Sequence, residues 1–308
     1  MKAVRIHEPA GLEGLVYEDA PDPAPAVGDV IVEVHACGFT PDELTWPGTW
    51  ADRAGRSRTP TIPAQEVSGV VVELGYGTTG FAVGDEVFGL GDFYRDGAAA
   101  EYMAIEARNL APKPTSVDHT AAAALPQAGL TAWQGLFVHG WLNAGQALLV
   151  HGAAGGVGSM AVQLGVDSGA KVIGTGRSGT RATVMDLGAT RFVDLEKEPF
   201  EHGVRRVDVA FDTVGGDILA RTGQVVRDGG ALVSIVGLPP EGAVRDDVRA
   251  TYFVREADRT QLEEIARRVD SGDLRPTVGA VHPLAEAQEA FRTKSSSSIP
   301  GKVVLTVR

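Results

Sequence analysis

Residues 147–165, ALLVHGAAGGVGSMAVQLG, run from an apolar segment through a turn of small residues into a second apolar segment. The first segment, 147–150, has the character of a buried strand, and "SMAVQLGVDSG" (159–169) that of a helix. Between them lie Gly152, Ala153, Ala154, Gly155, Gly156, Val157 and Gly158. A strand-to-helix turn this poor in side chains leaves the first N–H groups of the helix facing outward, where they attract an anion such as a pyrophosphate. Gly158 is expected to let the helix lie close on the strand. The spacing departs from G-x-G-x-x-G, so the reading draws its weight from the elements around it.

Downstream, strand-like and helix-like stretches alternate: "KVIGTG" (171–176), "TRATVMDLG" (180–188), "RFVDL" (191–195), "VDVAFDTVG" (207–215), "DILARTGQVV" (217–226) and "GALVSIVG" (230–237). This order predicts a parallel sheet with helices on both faces. In an NAD site, the end of the second strand carries Asp or Glu for the ribose hydroxyls. Here the residues are Gly176, Arg177 and Ser178, with Arg181 following and no carboxylate. A guanidinium beside a hydroxyl suits a 2′-phosphate, so Arg177, Ser178 and Arg181 are expected to bind NADP(H).

Upstream of residue 120 the texture is β-rich. "GDVIVEVHA" (28–36), "EVSGVVVELG" (66–75), "VGDEVFGL" (83–90) and "AAAEYMAI" (98–105) predict short strands of a small, partly open barrel. "HTAAAALPQAGLTAWQGLF" (119–137) is helical in composition, with Pro126 and Gly129 as interruptions. Helices are also expected at 258–271, stopped by Gly272, and at 284–294, with a closing strand at 301–308. The serine run 295–298 is expected to be a loop.

The 308 residues suffice for two domains. Lys and Arg number 28 against 40 Asp and Glu, and the resulting charge of −12 disfavours nucleic acid or a membrane surface as partner. A small-molecule substrate is expected instead. Cys37 is the one cysteine, which excludes an internal disulfide and a thiolate-built structural zinc site. With no apolar leader and no apolar run of membrane-spanning length, a cytoplasmic location is expected.

Taken together, "GAAGGVG" (152–158), "LPQAGLTAWQGLF" (125–137), "VGDEVFGL" (83–90), "DTVGG" (212–216), "LVSIVG" (232–237) and "IPGKVVLTV" (299–307) make the chain resemble the medium-chain dehydrogenase/reductase superfamily, most closely its zinc-free quinone oxidoreductase branch. The resemblance implies an α/β architecture: a GroES-like β-barrel substrate domain from 1–122 and 262–308, and a Rossmann NADPH-binding domain of doubly wound parallel sheet from 123–261. The active site is then expected in the cleft between them. It further implies that Thr131 lies near the nicotinamide and that Gly237 passes the same ring. Phe253 and Val254 would approach the carboxamide through their backbone. Ala154, Gly155, Gly156, Val157, Gly158 and Lys302 join the cofactor-binding set. Relatives commonly pair the strand around 250–254 across a twofold axis, which implies a homodimer.

Zinc-dependent relatives carry Cys and His in two slots that here hold Thr40 and Gln65, both poor zinc ligands, so no metal is expected. Cys37 is offset from the ligand slot and reads as a small buried hydrophobe. Quinone reductase relatives often have Asn in the slot of Thr40, Asp in that of Glu43, and Tyr in that of Leu195.

Reducing a polarised double bond needs a hydride source, a surface that orients the acceptor and a donor to the developing oxyanion. "FTPDELTWPGTW" (39–50) offers Trp46 and Trp50 either as flat walls for a ring or enone or as filling for a core. Thr40, Thr131 or a backbone N–H could donate, while Glu43 suits the orienting of a loop. Thr40, Glu43 and Thr131 form the candidate catalytic set. Neither G-x-S-x-G nor H-E-x-x-H occurs, and His35, His119 and His151 read as structural. The expected activity is NADPH-dependent hydride transfer to a quinone or an α,β-unsaturated carbonyl. A ketone or aldehyde reductase and a non-catalytic NADPH-binding sensor remain open as alternatives.

Overall fold

β-Branched residues at alternate positions build the longest strand among the described residues. Val30, Val32 and Val34 point to one face of 29–38 and are fully buried there. The computed structural model describes residues 1–9, 11–296 and 299–308. In chain order the strands are β1 (Lys2–Ile6), β2 (Leu15–Asp19), β3 (Asp29–Gly38), β4 (Glu66–Leu74), β5 (Glu86–Leu90), β6 (Tyr102–Glu106) and β7 (Leu110–Pro112). There follow β8 (Ala147–His151), β9 (Lys171–Gly176), β10 (Arg191–Asp194), β11 (Val207–Asp212), β12 (Val226–Ser234) and β13 (Arg249–Tyr252), then β14 (Val278–Pro283) and β15 (Lys302–Thr306). The chain divides into two compact units, Met1–Gln127 with Ala257–Arg308, and Ala128–Glu256. The joins read from the sequence lie at 122/123 and 261/262.

In the first unit the sheet runs β14-β15-β3-β4-β5-β7, and β6 also pairs with β3. The length of β3 makes this possible. Its first half, 29–33, pairs with β6, and residues Ala36, Cys37 and Gly38 pair with β15, while β4 takes the other side. A sheet that folds back in this way is the partly open barrel expected from the sequence. β14 was not legible beforehand: it alternates between half-buried and exposed residues and contains Gly279 and Pro283. The helix Arg259–Ser271 starts where the Asp258 side chain accepts the Gln261 N–H at 2.9 Å, and stops at Gly272, whose φ is +84°. Ser295 and Ser296 belong to the helix Ala287–Ser296, which corrects the expected loop there, while Ser297 and Ser298 lie outside the described residues.

The second unit is a six-stranded parallel sheet in the order β10-β9-β8-β11-β12-β13. The order reverses at β8, between β9 and β11, which is where doubly wound sheets hold ligands beyond the carboxyl ends of their strands. Its core packs Leu149, Phe200, Ala210 and Leu232. Pro126 opens the helix Pro126–Trp133 instead of interrupting it, as expected for a first-turn residue with no N–H to satisfy. The helical path then widens into a π turn over Gln134–His139. Among the described residues no helix is long and apolar enough to cross a membrane.

Candidate functional site

The glycine turn follows β8 directly and leads into the helix Gly156–Asp167. Gly152 takes φ +72°, a conformation that favours glycine. A Cβ on Gly158 would sit 2.1 Å from the Gly152 carbonyl oxygen, so the helix lies against the turn at a distance only glycine permits. A Cβ on Gly155 would meet nothing closer than the same oxygen at 3.3 Å, which leaves that side of the turn open. Ala153 and Ala154 are buried, and the first N–H groups of the helix, at Gly156, Val157 and Gly158, have no partner in the preceding turn. This is a cradle for an anion, and it fits the pyrophosphate of a nicotinamide dinucleotide.

The ends of β11 and β12 are fastened to one carboxylate that sequence reasoning passed over. Asp212 is fully buried, accepts the N–H groups of Val214 (3.2 Å) and Gly215 (3.0 Å), and accepts the Ser234 hydroxyl at 3.0 Å. Burial pushes its carboxyl above the ordinary value against these hydrogen bonds. Its signal was the "DTVGG" motif, read as a family mark with no role attached. Ser234 Oγ in turn accepts from Val236 N at 3.1 Å and Gly237 N at 3.4 Å, and space is open where a Gly237 side chain would stand. Phe253 is buried with its ring 4.4 Å from that of His139, and its N–H donates to Ser234 O at 3.3 Å. That N–H is therefore already engaged, while Val254 is exposed. Thr131 is buried on its helix. His151 is held between Thr175 (2.9 Å) and Thr222 (3.1 Å), and burial drives its pKa down to about 3, so it is a neutral structural group.

At the end of β9, Arg177 and Arg181 are exposed, and the Arg181 guanidinium lies 5.8 Å from the centre of the Phe192 ring. Ser178 has partners within this unit. Its hydroxyl donates to Asp194 Oδ2 at 2.6 Å and its N–H to Glu196 Oε2 at 3.0 Å. β9 itself carries no carboxylate, but the neighbouring strand β10 ends in one at the same level. Leu195 is half-buried against the apolar core of this unit.

In the first unit, Glu43 lies 3% exposed, with Oε1 accepting Ala64 N at 2.7 Å and Oε2 accepting Thr40 N at 3.2 Å. It joins two loops. Burial lifts its pKa to about 7, against the pull of these two N–H groups and Lys302. The Thr40 hydroxyl accepts from Gln127 Nε2 at 2.5 Å, and as an acceptor there it keeps its own proton to donate. Lys302, expected at the cofactor, has partners within this unit. It is buried in this unit, donates to Phe39 O at 2.8 Å and forms an ion pair with the fully buried Glu66. An ammonium needs such a partner once it leaves water.

Glu43, Trp46, Thr49, Arg58, Gln65 and Phe93 line a small pocket. Trp46 meets Phe93 edge-on, with ring centres 5.0 Å apart. Trp50, by contrast, packs on the barrel core and donates from Nε1 to Leu44 O at 3.0 Å. Arg58 holds the pocket walls together, donating to Phe93 O at 3.1 Å and to Gly48 O, and pairing with Asp96 at 3.4 Å. Asp96 accepts Ile62 N and Thr61 Oγ1, each at 3.1 Å. Nothing local in the sequence announced Arg58, because its partner Phe93 lies 35 residues away.

Thr40 and Gln65 carry side chains that are poor zinc ligands, and Gln65 Nε2 donates to Arg95 O at 3.3 Å. Cys37 is buried within β3, and burial pushes its thiol up, away from the thiolate a metal would need. Among the described residues no three His, Cys, Asp or Glu side chains gather as a metal site. These residues do not fit a zinc ion.

Glu43 also gives the protein a pH signature. Its folded pKa of about 7 stands above the ordinary 4.5, so its contribution to stability is intact below pH 4.5 and declines as the pH rises toward 7. The decline is expected to reach about 3 kcal/mol, and Glu43→Gln should flatten it. Urea unfolding of both proteins across that range measures it, and a wild-type stability that does not fall there would refute the assignment.

A family profile for the alcohol dehydrogenase GroES-like domain matches residues 26–115, and one for zinc-binding dehydrogenases matches residues 187–305. Over 313 residues the chain is 32% identical to a probable zinc-binding oxidoreductase, mitochondrial, of Arthroderma benhamiae, covering 95% of this chain and 93% of that protein. It is 32% identical over 287 residues to the NADPH-dependent alkenal/one oxidoreductase, chloroplastic, of Arabidopsis thaliana, covering 90% and 71%. The solved structure of the quinone oxidoreductase from Coxiella burnetii matches with a TM-score of 0.92 at 27% identity, covering 100% of this chain and 99% of that one.

Proposed function

The chain belongs to the medium-chain dehydrogenase/reductase superfamily, in its quinone oxidoreductase-like branch, and on that premise we propose that it reduces a quinone or an α,β-unsaturated carbonyl with NADPH and without zinc. The observation that carries the reading is the glycine turn after β8, closed by Gly158 and open above Gly155. A bound nicotinamide supplies the hydride. The helix start at Gly156 holds the pyrophosphate, and Arg177 and Arg181, both exposed cations, bind a ribose 2′-phosphate. Thr40 keeps a proton for a developing oxyanion, Glu43 fixes its loop, and Trp46 with Phe93 offers a flat apolar wall. A neutral hydroxyl is a weak proton donor. A conjugated acceptor spreads incoming charge over its own π-system and asks for no more, whereas a saturated ketone calls for a metal or a stronger acid. The names of the relatives, an NADPH-dependent alkenal/one oxidoreductase and a quinone oxidoreductase, support the same class.

The experiment is NADPH oxidation, followed by absorbance, with a small quinone, a linear enone and a saturated ketone of similar size. Turnover of either conjugated acceptor is expected. Turnover of the ketone alone would reverse the assignment, and NADPH binding without any turnover would point to a sensor.

We further propose that the protein is a homodimer paired through β13, whose outer edge has no strand partner among the described residues and whose Tyr252 and neighbouring Val254 are exposed. The sole, buried Cys37 suits a reducing cytoplasm. Light scattering and elemental analysis should return a dimer mass and no stoichiometric zinc. A monomer at micromolar concentration, or about one zinc per chain, would overturn the respective proposal.

A further inference from the structure

We propose that Asp194 is a specificity-determining residue that limits the preference for NADPH and keeps NADH a competitive cofactor. The inference rests on the reading of the glycine turn as a dinucleotide site. β9 and β10 run parallel, with Asp194 beside Gly176, so their carboxyl ends reach the same level. There Asp194 gathers what lies around it. Ser178 Oγ donates to its Oδ2 at 2.6 Å, Glu196 N to its Oδ1 at 3.1 Å, and Lys197 Nζ lies 3.2 Å away. The Asp194 side chain is 10% exposed and that of Lys197 75%, so the carboxylate is fixed while the ammonium is largely solvated. The hydrogen bond from Ser178 holds the Asp194 carboxyl below the usual carboxylate range, which keeps it charged at neutral pH.

A serine hydroxyl has one proton. Donated to Asp194, it presents lone pairs to a phosphate arriving at the same place. The Ser178 N–H, a second donor suited to a phosphate, is held by Glu196 at 3.0 Å. A 2′-phosphate therefore keeps Arg177 and Arg181 as partners and meets Asp194 and Glu196 as like charges. A ribose 2′-hydroxyl meets the same carboxylates as acceptors and can donate to them. The carboxylate that NAD sites usually place at the end of the second strand is supplied here by the third.

The test is the affinity of the full-length protein for NADPH and NADH, measured by calorimetry without substrate. Asp194→Asn keeps the shape and removes the charge. It should tighten NADPH binding about tenfold and change NADH binding less than about threefold. Ser178→Ala provides a second reading that does not disturb the buried carboxylate's charge. With its hydroxyl held by Asp194, removing it should leave NADPH affinity within about twofold. Arg177→Ala should weaken NADPH about tenfold and serves as the reference for phosphate recognition. An unchanged NADPH-to-NADH ratio in Asp194→Asn, or a large loss of NADPH affinity in Ser178→Ala, would overturn the role of Asp194 and leave the cofactor reading standing. A wild type that binds neither dinucleotide would overturn both.

Discussion

Gly158→Ala is expected to destabilise the protein by about 2–4 kcal/mol and to abolish dinucleotide binding. The added methyl would stand 2.1 Å from the Gly152 carbonyl oxygen and 2.9 Å from the Ala153 Cα. Both are backbone atoms at the end of a central strand, so no rotamer change relieves the clash and the helix must move off the sheet. Moving it also misdirects the N–H groups on which an anion would rest. Gly155→Val separates the two effects. At that position the contact is 3.3 Å and φ is −70°, so the side chain is sterically tolerated and the cost is about 1 kcal/mol for a poor N-cap. Its bulk would nevertheless cover the cradle, and NADPH affinity should fall more than about a hundredfold. Thermal unfolding and calorimetric titration give the two readouts. A Gly155→Val protein that binds NADPH like the wild type would show that the pyrophosphate lies elsewhere.

Lys302→Met should cost about 3–5 kcal/mol, because it leaves the Glu66 carboxylate buried without its cation. The double replacement Lys302→Met with Glu66→Gln should recover part of that loss, since a neutral amide is far cheaper to bury than an unpaired charge. Denaturant titration measures both. In conditions where the single variant remains folded, its affinity for NADPH should equal the wild-type value. A selective loss of NADPH affinity with stability unchanged would assign Lys302 to the cofactor.

What could be read in the sequence was what depends on near neighbours. The glycine turn declares itself because strand, turn and helix are contiguous, and the alternation after it fixes a parallel sheet. Asp258 and Gly272 mark the two ends of one helix for the same reason. The pairings that shape the candidate sites join distant segments and left no local trace. Ser178 follows the end of β9 and Asp194 ends β10, so a carboxylate missing from one strand was supplied by the next. Arg58 reaches Phe93 across 35 residues, and Lys302 reaches Phe39 across 263. Trp46 and Trp50 share a short segment and looked equivalent; only the tertiary packing of Trp50 on the barrel core tells them apart. Lys302 also meets the buried Glu66, a partner that nothing near it in the sequence announces.

The pairing of β15 with β3 has a consequence for how the chain acquires its shape. The second unit is continuous in sequence and can close its sheet as soon as it has been synthesised. The first unit cannot. One side of β3 at Ala36, Cys37 and Gly38 waits for a strand that leaves the ribosome only after the whole second unit has been made. Until then a buried-type, β-branched strand carries an open edge and a carboxylate, Glu66, without its counter-charge. Contacts of such long sequence separation form slowly, because a large loop must close before they contribute. During synthesis the barrel is therefore the late-maturing and aggregation-prone half of the protein, and its completion depends on the delivery of β15.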